Sequence, residues 1–213
     1  MYKFLPILLF AYSLAVTTED IYDNSYALII GIDKYDNTPL DYAVKDAESV
    51  ANLLKENFNF SSKNITTLLN EEATLSNIKN SLSKIASSAI ENDRVLIYFA
   101  GHGVTDILPD GGEMGYLLPI DGKVDNLFAT SIPMDDIKRI SSISKSKHML
   151  FLVDACYGGL SAVGARGLDA TTTPNYIDKI TKDKSRQIIT AGGRGEKVIE
   201  KSEWGHSAFT LNL

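Results

Sequence analysis

Two residue types that perform acyl-transfer chemistry stand at matching places in the sequence. Cys156 is the only cysteine among 213 residues, and it follows the apolar run MLFLVDA of residues 149–155. His102 sits between Gly101 and Gly103, just past the run VLIYFA of residues 95–100. A thiolate is a nucleophile, and an imidazole within reach is the base that generates it. A lone cysteine is commonly just a small buried hydrophobe. Here it lies past its run rather than within it, which favours exposure, and Gly158 and Gly159 permit a tight turn and a close approach by substrate backbone. Asp154 precedes Cys156 by two, so strand alternation sets both on one side. His102 has the same setting, unshielded by its glycines. The reading is a Cys–His hydrolase.

The elements that must position this pair follow from the apolar spacing. Both runs read as buried parallel strands, whose carboxyl ends meet at one edge of a sheet, where open α/β sheets place their chemistry. Residues 26–32 (YALIIGI) predict another central strand, followed by a turn-rich loop through Pro39. Ala43, Val44, Ala47, Val50, Ala51 and Leu54 recur at helical spacing, predicting a helix that ends near Phe58. Residues 65–69 predict a strand, and Thr74 caps a helix carrying Ile78, Leu82, Ile85 and Ala89. Residues 105–115 read as a polar, glycine-rich loop, and 116–119 as an extended piece. A helix starting at Ser131 or Pro133 carries Ile137 and Ile140, residues 187–191 predict a strand, and 198–200 part of a hairpin. Ser207 caps a last helix, and the chain stops at Leu213 one turn later, so a truncated C-terminal end is expected. Strands alternating with helices give an α/β sandwich with a mostly parallel sheet. His148 opens the Cys-bearing strand and belongs at the opposite edge; His206 follows the last strand and is the rival base.

Composition narrows the function classes. Hydrophobic content of 44% and charge of 23% are those of an ordinary globular chain. A net charge of −6 argues against nucleic-acid or anionic-membrane binding and suits basic peptides. One cysteine excludes an internal disulfide framework and any multi-cysteine metal site, leaving a buried thiol or a reactive one. Residues 1–15 read as a signal peptide, with an apolar run over 4–14 and a small-x-small end at Ser13 and Ala15, and 16–25 as a linker. Export or secretion is therefore expected, with a cytoplasmic location if the leader is retained; the run is too short to span a membrane. Asn59 and Asn64 begin glycosylation triplets.

The motifs YALIIGIDKYD, LDYAVKDAESVANLL, YFAGHG, YLLPID, DACYGG and GHSAFT are similar to those of the caspase-like cysteine peptidases, nearest to metacaspases and bacterial caspase homologues. The resemblance covers residue 26 to the end. It implies a caspase-like three-layer sandwich, a six-stranded sheet with helices on both faces, and peptide hydrolysis through a thioester. It casts Cys156 as nucleophile, His102 as general base and acid without an evident third member, and the backbone N–H groups of Gly103 and Cys156 as oxyanion donors. Animal caspases, which cut after acidic residues, usually carry Gln two positions before the nucleophile; this chain has Asp154. In metacaspase-like enzymes that Asp and another on the first helix, matched by Asp46, line a pocket for Arg or Lys. Asp46 alone also reads as an acid favouring its own helix amino terminus. Ala100 stands where many metacaspases have Ser beside the pocket, which loosens selectivity between Arg and Lys.

Many relatives need Ca²⁺ at an acidic cluster. Asp135 and Asp136 fall near two of its positions, but Met114 and Val163 occupy the others, and a hard cation wants six to eight oxygens. No resident cofactor or metal is expected. Arg166, Lys179, Lys182 and Lys184 in the stretch 161–184 offer basic points for self-processing, or plain solvated charge. The partners implied are peptide or protein substrates, with a monomer as the working expectation. Two alternatives remain: a catalytically silent caspase-like adaptor, and a legumain-like peptidase of different primary specificity. A flavodoxin-type nucleotide binder is excluded, because IDKYDNTPL offers no phosphate-cradling glycine loop.

Overall fold

The near-continuous apolar runs form strands of a parallel sheet that is covered on both faces. A computed structural model describes residues 17–155, 181–192 and 198–213. The expected leader, Cys156 with Gly158 and Gly159, Val163, Arg166 and Lys179 lie outside them. In chain order the elements are α1 (Thr18–Ile21), β1 (Ser25–Gly31), α2 (Ala43–Asn57), β2 (Ile65–Leu69), α3 (Leu75–Ser88) and β3 (Arg94–Ala100). Then follow β4 (Gly103–Ile107), β5 (Glu113–Leu117), α4 (Leu127–Thr130), β6 (Ile132–Pro133), α5 (Met134–Ile143) and β7 (His148–Asp154). The last are β8 (Ser185–Thr190), β9 (Glu200–Lys201), β10 (His206–Ser207) and α6 (Ala208–Leu211).

Among the described residues the main sheet has five strands in the order β2-β1-β3-β7-β8, and every pair is parallel. Alternation divides it. Ala27, Ile29, Tyr98, Ala100 and Leu152 face α2, which returns Ala43, Ala47, Val50, Ala51 and Leu54. Leu28, Ile30, Ile97, Phe99, Phe151 and Val153 face α3 and α5, which supply Ile78, Leu82, Ile85 and Ile137. Each buried Val, Leu, Ile or Phe side chain among them contributes roughly 1.5–3 kcal/mol relative to exposure. The Oγ1 of Thr74 accepts from the Asn77 N–H as the expected cap of α3. Gly31 sets the depth of α2: a Cβ there would lie 2.6 Å from the Ala43 carbonyl oxygen and 2.6 Å from the Ala47 Cβ. Only glycine lets the helix lie so close to the end of β1.

The expected loop over residues 105–115 is instead a hairpin. Strands β4 and β5 pair antiparallel, Gly103 opposite Leu117, and β6 adds a third strand. The glycine-rich composition belongs only to its tip, where the Leu108 N–H donates to the Gly112 carbonyl and Gly111 has φ of 83°. The arms bury Tyr116 and Leu117 in the core. The last hairpin, expected at 198–200, pairs β9 with β10. The stretch read as a linker carries α1, and Tyr22 meets the Nδ1 of His148 at 2.5 Å at the amino edge of the sheet.

Arg186 on β8 closes the far side. Its Nε donates to the Ser141 carbonyl, one terminal nitrogen to those of Lys147 and Ser185, the other to those of Ser144 and Ser146, all within 3.2 Å. A planar guanidinium thus caps the end of α5, where a cation is favoured. Lysine cannot reproduce five donors. Arg186→Lys and Arg186→Ala are each expected to cost about 2–3 kcal/mol, measured as a fall in urea midpoint at unchanged slope; a loss below roughly 0.5 kcal/mol would show that the cap contributes nothing.

Candidate active site

His102 is positioned by three neighbours. Strands β3 and β7 run side by side with Ala100 opposite Asp154, and the Gly101 N–H donates to the Asp154 carbonyl at 3.2 Å. Both chains therefore leave the sheet at one edge, His102 two residues past Ala100. The His102 N–H donates to the Tyr35 hydroxyl at 3.1 Å, and that hydroxyl donates to the Leu118 carbonyl at 2.8 Å. The Tyr35 ring lies 4.5 Å from the imidazole, tilted by 45°. A Cβ on Gly101 would meet the Tyr35 oxygen at 2.6 Å, so glycine is required for the ring to come this close. Burial pushes the Tyr35 phenol well above its ordinary range, so it stays a hydroxyl.

The tautomer follows from chemistry. The Nε2 of His102 lies 2.6 Å from the Thr38 carbonyl oxygen and 3.0 Å from its hydroxyl. A carbonyl only accepts, so Nε2 carries the proton, and in the neutral ring Nδ1 is the basic nitrogen. Neither Thr38 nor Tyr35 was evident from the sequence. Thr38 acts through its backbone, which leaves no mark on residue type.

The two acids singled out in the sequence come together. Asp46 on α2 is 1% exposed and Asp154 at the end of β7 is 5% exposed. Ser207 lies between them: its N–H donates to the Oδ2 of Asp46 at 3.0 Å, and its hydroxyl donates to the Oδ2 of Asp154. The Asp154 Oδ2 also accepts from the Thr210 hydroxyl at 2.8 Å and the Tyr98 hydroxyl at 3.2 Å. Its Oδ1 is buried with no hydrogen-bond donor among the described residues. Burial raises the Asp154 carboxyl above its ordinary range, the three hydroxyls oppose this, and the charge of Asp46 adds to the rise. Glu200 on β9 is raised chiefly by burial, against a backbone hydrogen bond at Asp41, and feels the charges of Asp46, Asp154 and Asp41. Asp46 also lies in the first turn of α2, so its interaction with its own helix amino terminus stands beside these bonds.

Tyr98, Ser207, Thr210 and Glu200 were not singled out as site residues. Parity offered one signal, since Tyr98 shares the face of Ala100 and Asp154. His206, the rival base, has its Nδ1 at 2.5 Å from the Oδ1 of Asp46. His148 lies at the opposite edge, as expected, with Nε2 at 3.0 Å from the Asp183 carbonyl. Ala100 is buried beside Asp154, and Gly103 opens β4. Asp135 and Asp136 pair with Lys138, Arg139 and Lys79 on the surface of α5, and Met114 lies in β5. Among the described residues no three His, Cys, Asp or Glu side chains form a group able to hold a metal ion, and no helix is long and apolar enough to cross a membrane.

The sequence profile of the caspase domain matches residues 24–210. Metacaspase-7 of Arabidopsis thaliana is 28% identical over 169 residues, which are 73% of this chain and 40% of that protein. The chain thus spans less than half the length of that relative. The crystal structure of a Geobacter sulfurreducens protein superposes with a TM-score of 0.62, covering 88% of this chain and 79% of that one at 17% identity, a likeness of fold alone.

The buried acid has a thermodynamic signature. A carboxyl raised in the fold binds its proton more tightly folded than unfolded. That stability is complete below about pH 4, the unfolded value, and is lost as pH rises through the folded one. Asp154→Asn is expected to be the more stable protein at pH 7, by on the order of 1 kcal/mol. The difference should vanish in urea titrations below about pH 4; a less stable variant at pH 7 would show the ionised acid to be net favourable.

Proposed function

The chain belongs to the caspase-domain family, and on that premise we propose that it is a cysteine endopeptidase that cuts after Arg or Lys with a Cys156–His102 dyad. In this reading the Cys156 thiolate attacks the scissile carbonyl carbon, and the developing oxyanion is held by the N–H groups of Gly103 and Cys156. His102 takes the thiol proton on Nδ1 and delivers it to the leaving amine, giving a thioester that water then hydrolyses. The observation that carries the reading is the anchored imidazole. With Nε2–H held by the Thr38 carbonyl, Nδ1 is the nitrogen left to move a proton.

Basic specificity is supported by the Oδ1 of Asp154, which has no donor among the described residues. A buried acceptor without a donor costs stability, roughly 1–3 kcal/mol, and a guanidinium or ammonium group would supply what it lacks. Asp46 and Glu200 around it favour a cation and repel an acidic side chain. Asp135 and Asp136 are already paired with lysine and arginine, so turnover is proposed to proceed without added Ca²⁺.

A fluorogenic peptide panel with Arg, Lys, Asn or Asp before the bond, with and without Ca²⁺, tests this. Turnover is expected after Arg and Lys only, absent in Cys156→Ala and reduced roughly 10²–10⁴-fold in His102→Ala. Cleavage after Asp or Asn would overturn the pocket, and full activity in Cys156→Ala would overturn the dyad.

A further inference from the structure

The pocket acids are not bare, and the residue covering one of them is itself titratable. The Nδ1 of His206 lies 2.5 Å from the Oδ1 of Asp46, whose side chain is 1% exposed while that of His206 is 22% exposed. The imidazole therefore stands between the carboxylate and water. A carboxylate only accepts, so Nδ1 carries a proton in either state of the ring. We propose that His206 is a specificity-determining residue: it shares Asp46 with the basic side chain of the substrate, and its protonation sets how much negative charge that side chain meets. This rests on the reading of Asp46 and Asp154 as the pocket acids.

With a neutral ring, Nδ1–H orients Asp46 and leaves its charge for the substrate. With a protonated ring the pair carries no net charge, and the incoming cation meets a cation instead. The charged and titratable groups around the pair come from every element packed there. Asp46 and Lys45 lie on α2, Lys45 reaching toward Gly205. Lys201 faces His206 across the β9–β10 pair. Glu200 on β9 feels the charges of Asp46, Asp154 and Asp41, Asp33 in the loop after β1 feels that of Asp46, and Tyr98 completes the floor on β3. Asp154 and Glu200 are raised by burial and add a pH response of their own. A variant at His206 is therefore needed to separate the contributions.

The experiment uses protein carrying Cys156→Ala, so that turnover is absent. The dissociation constants of two acetylated tetrapeptide amides, ending in arginine or in norleucine, are measured by calorimetry at pH 5.5 and 8. Their ratio isolates the pocket from the rest of the peptide. With His206 the preference for arginine is expected to fall about tenfold from pH 8 to 5.5. His206→Asn keeps a neutral donor to Asp46 and should remove most of that fall. His206→Lys, a permanent cation, should hold the preference low at both pH values. Thermal melts confirm folding, and if the asparagine variant does not fold, the lysine variant carries the test alone. Equal affinity for the two peptides at pH 8 would overturn the pocket reading and this inference with it. A clear preference for arginine, with the same fall in every folded variant, would overturn the role of His206 alone.

Discussion

A carboxylate held almost out of water at the end of an apolar strand must be given donors, and much of the site follows from that requirement at Asp154. Its Oδ2 gathers hydroxyls from β3, β10 and α6, and Ser207 extends the same network to Asp46 on α2. Five elements, α2, β3, β7, β10 and α6, are thereby tied at one edge of the sheet. A charge in this position is a liability for folding, since desolvation outweighs partial pairing. Proteins hold such groups where chemistry uses them.

The second constraint is the crowding around His102. Tyr35, from the loop after β1, must touch the histidine backbone, its ring and the Leu118 carbonyl at once. This locks together the ends of β1, β3 and β5. The imidazole is fixed by packing on one side and by the Thr38 carbonyl on the other, which gives it a single tautomer without a third acidic residue. Rigid support of this kind is what a proton-transferring group requires.

Much of this was legible in the sequence, for identifiable reasons. Apolar runs marked β1, β3 and β7, helical spacing marked α2, and Thr74 and Ser207 announced their caps. Alternation put Asp154 at the useful end of its strand. The hairpin β4–β5 was obscured because glycines at its tip dominated the composition of arms whose only deeply buried large side chains are Tyr116 and Leu117. The Thr38 carbonyl and the carbonyls capped by Arg186 are backbone groups, and no residue type reports them. The bond from His206 to Asp46 joins residues 160 apart; no local pattern encodes a contact of that range.

That range has a consequence for synthesis. A chain leaves the ribosome from its amino terminus, and the early elements can associate as they emerge. The donors to Asp46 and Asp154 at Ser207 and Thr210 come after all five strands of the main sheet. A nascent chain can thus hold its sheet and its His102 strand while both acids still lack these partners. The pocket is completed by residues that emerge only after the whole described sheet, so that a nascent chain that has reached no further than β8 carries both acids without these donors.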